Sequence, residues 1–113
     1  MNMTVTEIDE GAHQVRLEGR LDTVGVDAIE TRFNAAVVAA NQPVLIDLSH
    51  VSFVSSMGLR LLFTAAKAMR SRSQRMFLLV PAGPVREVLE TAAVDTLIPM
   101  FAEREEALAH LLR

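Results

Sequence analysis

The sequence contains no cysteine, no tryptophan and no tyrosine, and no long apolar run. Without cysteine the chain forms neither disulfides nor thiolate sites, which agrees with the reducing environment of the cytoplasm. The apolar runs fall far short of the roughly 20 residues that a membrane-spanning helix needs. The N-terminus has neither a basic segment nor an apolar core, so we expect no signal peptide, no membrane insertion and a cytoplasmic location.

Acidic residues are also missing from the middle of the chain, between Asp47 and Glu87. The cations of this interval are Arg60, Lys67, Arg70, Arg72, Arg75 and Arg86. A solvated helix face explains such a stretch, and so does a patch that attracts an acidic partner. Nucleic acid is not an expected partner, because the pI is near 5.5 and no aromatic residues are interleaved with the cations.

The composition that remains favours a folded globule, because half of the residues are hydrophobic. A length of 113 residues fits one domain, and we expect residues 1–113 to form it. A chain of this length buries about two thirds of its unfolded surface, so it forms a core without disulfides.

The first part of the chain predicts two strands and a helix. The strands cover residues 3–8 and 13–19, joined by a turn composition. After the loop 19–22, Asp22 or Thr23 is the expected cap of the helix. Apolar residues at helical spacing form its buried stripe, namely Val26, Ile29, Phe33, Ala36, Val37 and Ala40.

The middle of the chain predicts a strand, a helix and another strand. Residues 43–48 are apolar on both faces, which is typical of a central strand covered on both sides. The helix follows Ser55 and Ser56 and extends to about residue 70. Its predicted apolar face consists of Leu59, Leu62, Phe63, Ala66 and Met69. Residues 76–80 form the next fully apolar strand.

The last part predicts a short helix, a weak strand and a final helix. Pro84 suits the first turn of the short helix, whose expected inward residues are Val85, Val88, Leu89 and Ala92. The weak strand covers residues 96–100, and Pro99 places it at a sheet edge. The final helix covers residues 103–113. The order ββαβαβαβα predicts an α/β fold, a mixed sheet of about five strands with about four helices packed on it.

The serine pair is the strongest candidate site. The N-terminus of a helix favours a phosphate, because backbone N–H groups are free there and the dipole is positive. On position alone Ser56 is the N-cap of the helix, a role compatible with a phosphate. Right-handed crossovers would bring Ser55 and Ser56 beside the loop 19–22. Met57 is either core or an exposed partner contact, and Gly58 lets the helix start close to a strand.

Catalysis has little support in the sequence, and we expect no cofactor and no metal. The three histidines, His13, His50 and His110, fall in separate elements, so metal-ligand spacing is absent. Residues 54–58 lack the first glycine of a nucleophile elbow. There is no glycine-rich phosphate loop. A serine hydrolase is therefore only a remote alternative.

The segment DLSHVSFVSSMGL at residues 47–59, with GRLD at 19–22, resembles the STAS domain of bacterial anti-sigma factor antagonists. The resemblance covers nearly the whole chain. It implies a regulatory binding protein and kinase substrate, not an enzyme. In that family an anti-sigma factor that is also a serine kinase phosphorylates the antagonist. The unphosphorylated antagonist binds this partner and frees the sigma factor, and a phosphatase of the PP2C type resets the cycle.

By motif position the resemblance assigns the phosphate acceptor to Ser56, with Ser55 less favoured. Many members have aspartate before the acceptor, where this chain has Ser55. Asp22 matches the acidic residue that contacts the kinase. The predicted partner-binding residues are Asp22, Ser55, Ser56, Met57, Gly58 and Arg60. Small STAS proteins also include a docking subunit of a lipid-transport ABC system, which is the alternative function. The sequence leaves open whether the protein is a monomer or a homodimer.

Overall fold

The computed structural model describes residues 1–113, which form a five-stranded sheet and four α-helices. The strands are β1 (Asn2–Asp9), β2 (Ala12–Leu21), β3 (Val44–Val54), β4 (Met76–Leu79) and β5 (Met100–Phe101). They lie in the sheet in chain order, from β1 at one edge to β5 at the other. β1 is antiparallel to β2, and every other pair is parallel. The predicted mixed sheet is confirmed.

The helices follow the strands in the predicted order. They are α1 (Thr23–Asn34), α2 (Ser56–Ser71), α3 (Pro84–Thr91) and α4 (Arg104–Leu111). The helix predicted to reach residue 40 changes at its end into a π-helical turn at Ala35–Ala39. A 3-10 turn at Val94–Thr96 follows α3. No helix in the protein is both long enough and apolar enough to cross a membrane.

The two faces of the sheet are covered unequally. Residues of α1, α2 and α3 pack with one face in a core of 23 buried residues. On the other face, Ala107 and Leu111 of α4 pack with Leu45 and Leu79 in a cluster of four buried residues. Because Ile46 belongs to the large core and Leu45 to the small one, β3 is buried on both sides, as predicted.

Two strands extend further than predicted. β3 continues past residue 48 to Val54, and β2 continues past residue 19 to Leu21. The reason is their parallel pairing, in which Gly19 lies opposite Val51 and Leu21 lies opposite Val54. The two strands therefore end side by side, and Ser55 follows immediately.

The strand predicted over residues 96–100 is wrong. The backbone N–H of Ile98 donates to the carbonyl of Val94 at 2.8 Å, and both side chains are fully buried. This is the spacing of a helical turn, so the chain is turned as far as Ile98 and only Met100 of the predicted strand lies in β5. β5 is only Met100–Phe101 and lies at the sheet edge, as Pro99 indicated. Val88, predicted to face inward, is 40% exposed.

Candidate functional site

The candidate site lies where β2 and β3 end and α1 and α2 begin. The backbone N–H of Ser55, directly after β3, donates to the carbonyl of Leu21 at the end of β2, at 3.0 Å. The structure therefore brings together the two motif segments, 19–22 and 47–59. Their proximity follows from the parallel pairing of β2 and β3, in which Leu21 lies opposite Val54.

Ser55 is the N-cap of α2. Its Oγ accepts a hydrogen bond from the backbone N–H of Gly58 at 3.3 Å and donates one to the carbonyl of Leu21 at 3.2 Å. The side chain is half-buried, and the backbone has the extended conformation of a cap residue. The prediction that Ser56 is the cap is wrong, because β3 continues to Val54 and leaves Ser55 at the junction.

Ser56 is the first residue of α2 and is exposed. Its hydroxyl has no hydrogen-bond partner within the protein, in contrast to that of Ser55. The first backbone N–H groups of a helix lack partners in the helix, and the dipole adds a positive potential. The Ser56 hydroxyl thus stands free in a place where a phosphate would be stabilised.

Gly58, two residues after Ser56 in the first turn of α2, is buried. A Cβ at this position would lie 2.6 Å from the carbonyl oxygen of Leu21, closer than real Cβ contacts. Gly25 has the same role in α1, where a Cβ would lie 2.1 Å from the carbonyl oxygen of Arg20. Both glycines let a helix begin against the end of β2. This close start of a helix against a strand was predicted for Gly58 but not for Gly25.

Asp22 is the N-cap of α1, so the structure selects it over Thr23. Its Oδ1 accepts from the backbone N–H of Gly25 at 2.9 Å, and its Oδ2 is 3.3 Å from Nε of Arg20. The hydrogen bond from Gly25 lowers the pKa of the Asp22 carboxyl most, and Arg20 lowers the pKa further. Asp22 therefore presents a carboxylate at this end of the sheet at neutral pH.

Exposed apolar side chains accompany these polar groups. Met57 is 36% exposed, Phe53 is 40% exposed and Val24 in the first turn of α1 is 78% exposed. The guanidinium of Arg20 lies over the Phe53 ring, with its carbon 4.3 Å from the ring centroid. We call Asp22, Val24, Phe53, Ser56 and Met57 the strand-end surface. Val24, Phe53 and Arg20 were not predicted as site residues. Periodicity does not distinguish an exposed apolar residue at a helix start or strand end from a core residue, and the contact of Arg20 with Phe53 depends on strand pairing.

The six cations of the middle segment divide into two groups. Three of them donate hydrogen bonds to backbone carbonyls and so have structural roles, namely Arg72, Arg75 and Arg86. The other three, Arg60, Lys67 and Arg70, are exposed on α2 and form neither a hydrogen bond nor an ion pair. Arg60, a predicted partner contact, lies one helical turn after Ser56.

The three histidines have their partners in separate parts of the fold. His13 contacts Gln42 and the carbonyl of Ala36, His50 contacts Arg16, and His110 packs on Phe101. No group of three histidines, aspartates or glutamates is arranged to hold a metal ion. No histidine forms a hydrogen bond with Ser55 or Ser56, so neither serine has the histidine partner of a Ser–His pair.

Comparison with known proteins adds relatives at the levels of sequence and structure. BtrV of Bordetella bronchiseptica, classed with the anti-sigma factor antagonists, is 29% identical over 109 residues, which cover 96% of this chain and 93% of BtrV. The crystal structure of an anti-sigma factor antagonist from Mycobacterium paratuberculosis has a TM-score of 0.88 and 25% identity, covering 99% of this chain and 94% of that one.

A third relative shares the fold alone. Bacillus SpoIIAA, an anti-sigma factor antagonist solved in unphosphorylated and phosphorylated forms, is 22% identical in the unphosphorylated form, with a TM-score of 0.73. The match covers 98% of both chains. The STAS domain model matches residues 3–107, which is nearly the entire sequence. This protein therefore belongs to the STAS domain family.

Proposed function

We propose that this protein is an anti-sigma factor antagonist controlled by phosphorylation of Ser56. The observation that carries the proposal is the difference between two adjacent hydroxyls at the start of α2. Ser55 is engaged by Leu21 and Gly58, whereas Ser56 is exposed and unbonded. A kinase needs a hydroxyl that it reaches without unfolding its substrate, and of the two adjacent serines Ser56 meets that condition.

The unphosphorylated protein binds an anti-sigma factor that is also a serine kinase, and so releases the sigma factor. The strand-end surface suits this contact, because it combines exposed apolar side chains with the Asp22 carboxylate. In the kinase reaction the Ser56 hydroxyl oxygen takes the terminal phosphoryl group of ATP. ADP leaves and the hydroxyl proton passes to a base of the kinase. The protein acts in the cytoplasm as a substrate and binding partner, without a cofactor and without catalysing a reaction.

Phosphorylation ends the complex through charge. A phosphate adds nearly two negative charges to a surface that already holds the Asp22 carboxylate. A loss of affinity of ~100-fold needs only about 2.7 kcal/mol of repulsion or desolvation. The helix N-terminus stabilises the same phosphate, so the domain stays folded, and a phosphatase of the PP2C type resets it. The phosphorylated form of SpoIIAA supports this, because a fold of this type exists with a phosphate attached.

The direct test is incubation with the cognate kinase partner and ATP, followed by mass spectrometry. We expect one phosphate, on Ser56, and none in Ser56→Ala. Ser55→Asp is the matched control, because it removes the second hydroxyl and keeps an N-cap acceptor. It should be phosphorylated like the wild type, whereas phosphate on Ser55 or on neither serine would contradict the proposal.

Binding supplies the second arm of the test. Ser56→Asp should bind the kinase partner much more weakly than the wild type, while Ser56→Ala should stay bound. The docking subunit of an ABC transporter is the competing function. Stable co-purification with a transporter ATPase, whose activity is indifferent to Ser56→Asp, would replace our proposal with that one.

A further inference from the structure

An open groove runs along α2, starting at Ser56. The α2 side chains form one wall, and residues 92–97, between α3 and β5, form the other. Half-buried apolar side chains line it, namely Leu59, Phe63 and Leu97. Beyond Leu97 a second hollow continues the groove past Arg70 to Pro99. We call the whole depression the α2 groove.

The cations of α2 that have no structural role lie along this groove. Arg60 and Lys67 line its first part and Arg70 lines its continuation. Residues 56, 60, 67 and 70 fall on one side of a helix with 3.6 residues per turn. The ten residue-to-residue steps from Arg60 to Arg70 span about 15 Å of helix axis, the length of a short peptide segment.

No acidic residue of the chain neutralises this stripe. All three ion pairs of the protein lie elsewhere, at Arg16, Arg20 and Arg86. On the opposite wall Asp95, next to Thr96, is exposed and forms no ion pair. The α2 groove therefore presents three positive charges that form no ion pair, beside an apolar floor, although the whole chain has a net charge of −3.

We propose that the α2 groove binds an acidic segment of the partner protein. Apolar side chains of the segment contact Phe63 and Leu97, and its carboxylates pair with Arg60, Lys67 and Arg70. Complementary charge favours this occupant, and the apolar floor favours a peptide over a simple anion. The role of the phosphate in this inference rests on the proposed function, which the groove deepens by adding a second contact with the partner. Binding of the acidic segment itself does not require phosphorylation of Ser56.

The position of Ser56 at one end of the groove gives the phosphate a second effect. Ser56 and Arg60 are four residues apart, the spacing at which side chains on a helix meet. A phosphate on Ser56 would form charge-assisted hydrogen bonds with the Arg60 guanidinium. It would thereby withdraw one cation from the acidic segment and place a negative charge at the mouth of the groove.

A second copy of this chain is the less suitable occupant. Its acidic counterpart would be the start of α4, where Glu103, Glu105 and Glu106 are exposed. Because α4 lies on the sheet face opposite α2, that contact would join molecules head to tail. Such a contact gives an open chain of molecules unless its rotation happens to close a ring.

The test is an NMR titration of the 15N-labelled full chain with a synthetic acidic peptide, Ac-EELEELLEE-NH2. We expect amide shifts in α2 and residues 92–97, with a dissociation constant that rises with salt. Lys67→Glu combined with Arg70→Glu should weaken binding about tenfold or more, because two attractions become repulsions. Arg32→Glu, at an exposed cation of α1 outside the groove, is the matched control and should leave the affinity unchanged.

The role of Arg60 is tested with the same peptide. Ser56→Asp should weaken binding several-fold, and in an Arg60→Gln background it should have a much smaller effect. No shifts, or shifts that the Lys67→Glu and Arg70→Glu reversals leave intact, would overturn the proposed groove. Concentration-dependent self-association of the free protein that these reversals abolish would overturn the choice of a partner segment.

The peptide titration is done without a kinase, so it can fail independently of the phosphorylation experiment. Missing phosphorylation of Ser56 would remove the proposed function while peptide binding persisted. Missing peptide binding would remove the groove while phosphorylation and its effect on the kinase complex persisted.

Discussion

At the scale of single residues, two neighbouring serines have separate roles. Ser55 is the N-cap between β3 and α2, and Ser56 is the first residue of α2. Ser55 bonds to both Leu21 and Gly58, so its hydroxyl holds α2 to β2. Ser56 contributes no such bond. The free energy of unfolding should therefore depend on Ser55, and regulation should depend on Ser56.

The different roles of the two serines predict different effects of the same substitution on stability. Ser55→Ala should lower the free energy of unfolding by about 1 kcal/mol, because it removes the N-cap of α2. Ser56→Ala should change that free energy by less than about 0.5 kcal/mol. Urea unfolding followed by circular dichroism measures both. Equal losses in the two alanine variants would show that the cap is shared.

Asp22 gives the second residue-scale prediction, which concerns pH. Its pKa is lowered below the ordinary value of 3.8, so the folded state favours the ionised form. That contribution to stability is fully present above the ordinary pKa and is lost as the pH falls through the lower, folded pKa. Asp22→Asn keeps a cap without the charge. Its stability deficit in urea unfolding should be present at pH 7 and shrink below the folded pKa, whereas a constant deficit would contradict the charge effect.

At the scale of elements, the start of α2 approaches the end of β2 so closely that a single methyl group decides the spacing. Alanine in a helix is ordinarily favoured over glycine by about 1 kcal/mol. At position 58, however, the added Cβ would meet the carbonyl oxygen of Leu21 at 2.6 Å and its Cγ at 2.9 Å. Gly58→Ala should therefore reverse the usual sign.

We expect Gly58→Ala to lower the free energy of unfolding by about 1–3 kcal/mol, because the helix must shift to relieve the overlap. Urea unfolding measures the change. Ser71→Ala, at the exposed end of the same helix, is the control and should stay within about 0.5 kcal/mol. A stabilised Gly58→Ala would mean that α2 moves without loss of packing.

The elements also show what local sequence predicts and what it does not. The order of elements and the doubly buried β3 were predictable, because apolar periodicity reports which faces are buried. The end of β3 was not, since exposed Ser49 and His50 suggest a strand end although pairing with β2 continues to Val54. The 3-10 turn was also missed, because a short segment with buried Val94 and Ile98 fits a strand as well as a turn.

The candidate site follows the same rule. The motif placed the serine pair at a helix start, and the cap of α1 was predicted to be either Asp22 or Thr23. Which serine caps α2 depends on where β3 ends, and that is set by pairing with a strand 30 residues away. The place of Arg20 against Phe53 depends on the same pairing. Such contacts have no signal in local composition.

At the scale of the whole molecule, one cation of the middle segment, Arg75, holds α4 against the rest of the fold. Arg75 precedes β4 and its Nη1 donates to the carbonyls of His110, Leu111 and Arg113, at 3.2, 3.0 and 2.8 Å. These are carbonyls at the end of α4, where a positive charge is favourable. α4 is the only helix on its face, and its buried cluster is small. Arg75 therefore fastens a helix whose apolar cluster contains only four buried residues.

Arg75→Gln should loosen α4 without unfolding the rest of the molecule. Loss of bonds from a charged donor costs about 1.5–3 kcal/mol, so local opening of α4 should become at least about tenfold more frequent. Native-state hydrogen exchange measures this as faster exchange of α4 amides with unchanged exchange in α2. Arg32→Gln is the control. If α2 and α4 amides accelerate together, the opening is global. In that case both faces of the sheet form one cooperative unit, and Arg75 stabilises the whole fold instead of one helix.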